Sequence, residues 1–226
     1  MLNSPVFGIF LCVICFYFGT LVNKRFKSSL LNPLLVAIII IIIILKVFNI
    51  SYDDFMVGGA FIQFMIMPTT VALAVPFYRN FDVFLKYKWP ILIGSAVGSI
   101  TALTSILIMG KYFGLDRNVL ISILPKSITT AIALPLTEEF GGIPSITSFA
   151  ISITGLLGVI VCDFLLKRLK INIDIAKGAA LGTASHAIGT SKALTISEIA
   201  GAISGLCIVI AGFITVLLFP IFIRFV

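Results

Sequence analysis

Residues 178–191 read GAALGTASHAIGTS. They lie inside an apolar segment, 175–192, that has nearly the length of a membrane helix. Yet they hold three glycines, four hydroxyl side chains and the chain's one histidine. Each glycine weakens a helix by about 1 kcal/mol relative to alanine. Irregular backbone survives at membrane depth only where protein or a water-filled cavity covers it. This composition predicts a helix that is interrupted inside the bilayer, beside a polar cavity. A lone histidine is commonly a satisfied core residue, but small polar neighbours suit a lined cavity better than a greasy core.

The surroundings are those of a membrane protein. The chain has 226 residues, 60% hydrophobic and 11% charged, with a mean hydropathy of +1.21. Soluble domains carry about 25% charged residues, so a water-facing surface of the usual kind is not available. Charge-free runs span Val6–Val22, Ser28–Leu45, Phe55–Tyr78, Trp89–Gly110, Phe140–Cys162 and Ile199–Ile223. About 20 apolar residues cross a hydrocarbon layer of ~30 Å, and most of these runs suffice. The first run follows an uncharged Met1–Pro5, with Lys24, Arg25 and Lys27 after it. A secretory signal has the opposite order, so the run reads as a retained helix.

Several function classes fall away. The net charge of +7 is spread over short loops, with no basic stripe for nucleic acid. Cys12, Cys15, Cys162 and Cys207 all sit in apolar runs, and one histidine cannot complete a zinc site. Neither a metal nor a cofactor is expected. Without a phosphate loop or a nucleophile–base pair, the chain reads as no enzyme.

Eight apolar segments, about 5–22, 29–46, 55–78, 89–111, 119–137, 143–166, 175–192 and 199–223, form one membrane domain, 1–226. A shift of 114 residues overlays segment on segment. Gly98-Ser99-Ile100-Thr101-Ala102-Leu103 then falls on Gly212-Phe213-Ile214-Thr215-Val216-Leu217, and Pro68-Thr69-Thr70 on Gly182-Thr183-Ala184. The expected fold is therefore all-α and polytopic, with repeats of about 1–112 and 115–226. Each repeat has one interrupted or re-entrant helix: 65–76, MIMPTTVALAVP, breaks at prolines as 178–191 does at glycines. Paired interruptions of this kind point to a transporter's binding site.

Loop charges constrain the topology. Lys24, Arg25 and Lys27, and again Lys167, Arg168 and Lys170, mark cytoplasmic loops. Five segments lie between them, so one is expected to fold back and make the repeats inverted copies; eight simple crossings would instead place Lys167, Arg168 and Lys170 outside. Symmetry favours 55–78 as that segment. The charges Arg79, Lys86 and Lys88 favour 119–137.

Residues 124–147, LPKSITTAIALPLTEEFGGIPSIT, carry the densest chemistry. Lys126 falls well inside an apolar segment, where an unpaired cation costs several kcal/mol and marks a functional site by default; snorkelling to the interface is the alternative. Ser127, Thr129 and Thr130 surround it with hydroxyls, and Pro125 and Pro135 interrupt the helix. The candidate site combines these with Thr183, Ser185 and His186, and with Pro68, Thr69 and Thr70 from the first repeat. One cation, one imidazole and many donors suit a small organic anion such as a carboxylate.

Four strings, PTTVALAVPFYRN at 68–80, PKSITTAIA at 125–133, EEFGGIPSIT at 138–147 and ALGTASHAIGTSKAL at 180–194, resemble the LrgB/CidB family. The resemblance covers about residues 55–220. Ala131 stands where the family commonly has proline, and Ser191-Lys192 where Ala-Arg is common. The family implies a multi-pass protein of the bacterial inner membrane. It implies a holin-like or antiholin-like role in murein hydrolase control and autolysis, with a small LrgA/CidA-type membrane partner and possible homo-oligomers. It also implies transport of small monocarboxylates, since plant relatives are similar to plastid glycolate/glycerate transporters and some bacterial pairs are linked to pyruvate uptake.

Overall fold

The computed structural model describes residues 4–26, 31, 33–65, 68, 71–72 and 74–226. The described residues are helical, with no strand among them. They divide into two compact units, Met1–Ala72 and Leu73–Val226. This packing boundary differs from the 112/115 boundary of the repeats, because the helix ending at residue 112 packs on later helices of the second unit.

The first unit has three helices: α1 (Pro5–Phe26), α2 (Pro33–Val47) and α3 (Tyr52–Phe64). Leu11 and Cys15 of α1 pack on Ala37 of α2. Gly8 of α1 meets Gly58 of α3 so closely that a Cβ on Gly8 would stand 2.8 Å from the Gly58 Cα. Small residues at such crossings let membrane helices approach. Ser51 caps α3, its hydroxyl accepting from the Asp54 N–H at 3.1 Å. Phe10, Tyr17, Ile42 and Phe61 face outward, as lipid-facing side chains do.

The second unit holds α4 (Ala74–Arg79), α5 (Phe81–Tyr112), α6 (Arg117–Ile123), α7 (Thr130–Glu139), α8 (Pro144–Arg168), α9 (Asp174–Ile196) and α10 (Glu198–Ile223). Helices α5, α8 and α10 are 32, 25 and 26 residues long. At ~1.5 Å per residue each exceeds a ~30 Å hydrocarbon layer. Phe149, Phe164, Val209 and Phe213 stand more than 60% exposed on them, which only a lipid solvent tolerates in such number. Tyr87, where α5 is kinked (φ −113°, ψ 18°), and Trp89 lie near one end of the spanning part of α5, and Tyr112 and Phe113 at the other, at the positions of interfacial aromatic belts.

The remaining segments do not cross. Segment 117–139 is a hairpin. Ser122 of α6 accepts from the Ile143 N–H (2.6 Å), and Thr147 of α8 donates to the Ser122 carbonyl (2.8 Å) while lying 3.0 Å from the Thr137 hydroxyl. The two arms, and the start of α8, therefore share one end of the unit. Helix α9 is a second hairpin. It folds back at His186, where φ is 42° and ψ −133°. Leu181 packs with Ala193, and Gly189 sits against the Leu181 carbonyl. A straight helix would separate residues 181 and 193 by about 18 Å. Asp174, at the mouth, takes hydrogen bonds from Lys177 and Ser197, which hold its carboxyl below the usual carboxylate range.

The hairpins enter from opposite faces. Leu103 of α5 packs with Ile121, Leu124 and Leu136 of the first hairpin and Phe219 of α10. At the other face, Ile91 packs with Ile203 and Cys207, joined by Phe84 and Ile175. Arg79, Lys86, Lys88, Lys167, Arg168, Lys170, Lys177 and Lys192 all fall on this second face, against Lys111, Arg117 and Arg224 on the first. The second face is cytoplasmic by the positive-inside rule. A fold-back is therefore found at 119–137, where the charges pointed. A further fold-back lies at 175–192, expected as an interrupted or re-entrant helix. Segment 55–78 bridges the two units and includes residues outside those described.

Candidate functional site

The first hairpin turns through 124–129. The Lys126 N–H bonds the Ile123 carbonyl (3.2 Å) and the Ile128 N–H the Pro125 carbonyl (3.2 Å), so two tight turns replace one helical passage. Pro125 lacks an N–H and forces this break. Thr129 is extended (φ −69°, ψ 146°), and α7 starts at Thr130 without a side-chain cap. Its first N–H groups are thus free of helical partners, with the helix dipole's positive end at the hairpin tip.

The second hairpin turns at one residue. A non-glycine residue at positive φ costs about 1–3 kcal/mol, so something must hold His186 there. Its Nε2 lies 3.1 Å from the Ile151 carbonyl of α8, and a Cβ on Gly155 would stand 2.8 Å from its Cε1. Thr190 donates back to the His186 carbonyl (3.1 Å) and shares a 2.8 Å hydrogen bond with Ser204 of α10. Thr183 bonds Ser95 of α5 at 3.3 Å and presses its methyl on Gly98. Ser185 sits on Gly158. The returning arm is tied to α8 by Lys192, whose Nζ lies 2.9 Å from Asp163 Oδ2.

The two tips meet on α8. Ile128 and Ala133 of the first hairpin pack with Ile151, the residue whose carbonyl faces His186. Beside this meeting point is a cavity of about 790 Å³. Lys126, Ser127, Thr183 and Ser185 line it. Lys126 is half-buried, its Nζ reaches the Ser127 hydroxyl at 3.4 Å, and no carboxylate among the described residues pairs with it. Nine residues from the start of α6, it stands at a depth of about 13 Å. Its side chain thus lies along the cavity wall, partly covered by protein.

Of the other expected site residues, Thr129 and Thr130 sit at the turn into α7 but do not line the cavity. His186 is 4% exposed and faces α8, so it supports the tip from behind. Pro68 is exposed and belongs to the first unit; Thr69 and Thr70 lie outside the described residues. Sequence reasoning missed the α5 and α8 walls: Gly98, Thr101, Thr154 and Gly158. Their signal was small and hydroxyl residues spaced about one turn apart on otherwise plain spanning helices.

These features define a class: multi-pass α-helical membrane proteins whose opposed re-entrant hairpins enclose a charged residue at mid-depth. The chain belongs to the LrgB-like family, whose sequence profile matches residues 12–225. It is 39% identical over 224 residues to proteins named "Antiholin-like protein LrgB" from Bacillus mycoides (strain KBAB4) and Bacillus cereus (strain B4264), covering 99% of this chain and 97% of each relative. A protein of the same name from Bacillus anthracis (strain CDC 684 / NRRL 3495) matches to the same extent. No solved structure matches the chain. It is a multi-pass protein of a bacterial membrane.

Proposed function

We propose that the chain transports small monocarboxylates, such as pyruvate, glycolate or glycerate, without covalent chemistry. One observation carries this reading: the Lys126 ammonium stands at mid-depth, at the meeting of two hairpin tips, with no carboxylate partner among the described residues. A buried cation is costly alone, and a bound carboxylate would neutralise it. Ser127, Thr183 and Ser185 add hydroxyl donors. In this reading Thr129 and Thr130 shape the turn of the first tip and His186 holds the second.

The test is saturable uptake of labelled pyruvate, glycolate and glycerate by proteoliposomes of the purified chain. Flux that Lys126→Ala abolishes supports the proposal; flux unchanged by that variant removes Lys126 from the site.

A second reading rests on the relatives' printed name, antiholin-like. In it the chain restrains murein hydrolase activity through a small LrgA/CidA-like partner. A lysis phenotype that survives Lys126→Ala and His186→Ala but vanishes when the partner is deleted favours this reading. A phenotype that tracks flux makes control of autolysis a consequence of transport.

A further inference from the structure

Most polar side chains of the cavity gather at one end, with Tyr87 at the other. Lys126, Ser127, Thr183 and Ser185 gather at mid-depth, whereas Pro90, Ile91, Ile173, Ile175, Ala176 and Ala179 line the stretch towards the basic face. Eight residues separate Ile91 from Ser99 on α5 and Ile175 from Thr183 on α9, so the apolar stretch is about 12 Å long. At about 790 Å³ the cavity lies within the ~300–1,000 Å³ range of sites for drug-sized ligands. A two- or three-carbon acid would occupy only its deep end.

Resting on the carboxylate reading above, we infer that the site takes amphiphilic monocarboxylates. The carboxylate is held at Lys126 and Ser127, and an unbranched apolar tail lies between α5 and the first arm of α9, directed at the basic face. Charge complementarity fixes the head end, since Lys126 is the one cation among the described residues lining the cavity. The walls favour an apolar tail, because a hydroxylated or charged tail would find no partner along Ile91, Ile175 and Ala179 until it reached Tyr87 at the mouth. Each methylene buried there is worth about 0.8 kcal/mol, or about a fourfold gain in affinity.

The experiment is thermal unfolding of the detergent-purified full chain titrated with acetate, butyrate, hexanoate and octanoate, with hexanol and hexylammonium as controls. Bound ligand raises the midpoint in proportion to its saturation. The inference expects half-saturating concentration to fall about 15-fold with each added pair of carbons. It expects the two controls to have little effect. It expects Ala176→Leu and Ala179→Leu, which narrow the tail's path, to move the optimum to shorter acids. Equal affinity for acetate and octanoate overturns the tail but leaves the small-carboxylate reading intact. Equal stabilisation by hexanol overturns it as partitioning into the detergent-like surface. No stabilisation by any acid removes the carboxylate reading itself, and the tail with it.

Discussion

The two hairpins of the second unit reach the same depth by different means. The first turns over six residues, 124–129, and pays for its turn with a proline and two tight backbone bends. The second turns at His186 alone, in a backbone state that favours glycine, and depends on α8 to hold it there. One tip is self-supporting and presents a charge; the other is supported from behind and presents hydroxyls. A binding site can therefore be divided between a tip that carries ligand chemistry and a tip that carries strain.

Four experiments break or sharpen that contrast. The largest effect belongs to Lys126. Lys126→Met should cut carboxylate uptake in proteoliposomes by about 30-fold or more, the usual cost of losing one member of a buried charge pair. Lys126→Arg should recover part of it. Next is the seat of the second tip. Gly155→Leu fills the space of the His186 ring and Gly158→Val that of Ser185. Each should lower stability by about 1–3 kcal/mol, as overpacking does, and reduce flux, measured by thermal unfolding and uptake together. Third, His186→Gly accepts the positive φ while His186→Ala does not. The glycine variant should be the more stable by about 1 kcal/mol; the reverse order would show that the ring contact outweighs the backbone state. The smallest effect belongs to the half-exposed pair Lys192–Asp163. Lys192→Ala should cost no more than about 1 kcal/mol, and less at high salt.

Much of this architecture is visible in the sequence, for local reasons. Pro125 and Lys126 mark the first tip, and Gly182, His186 and Gly189 the second, because backbone breaks leave a composition. Whether a broken helix kinks onward or folds back leaves none. That choice is made by contacts between residues far apart, such as Ser122 with Ile143, or Leu181 with Ala193. The two halves differ at one pair. Segment 5–22 lies in α1, which is continuous, whereas its partner at 119–136 is a hairpin. The lining of α5 stayed hidden because Gly94, Gly98 and Thr101 serve equally well as close-packing residues of a plain helix.

The central claim is that both hairpins return to the face they entered. It is tested by single cysteines in a chain lacking Cys12, Cys15, Cys162 and Cys207, labelled on intact cells with a membrane-impermeant thiol reagent. Cysteines at Lys111 and Glu139 should both label from outside, and cysteines at Leu169 and Glu198 only after permeabilisation. Labelling of 111 and 139 from opposite sides, or of 169 and 198 from opposite sides, would contradict it.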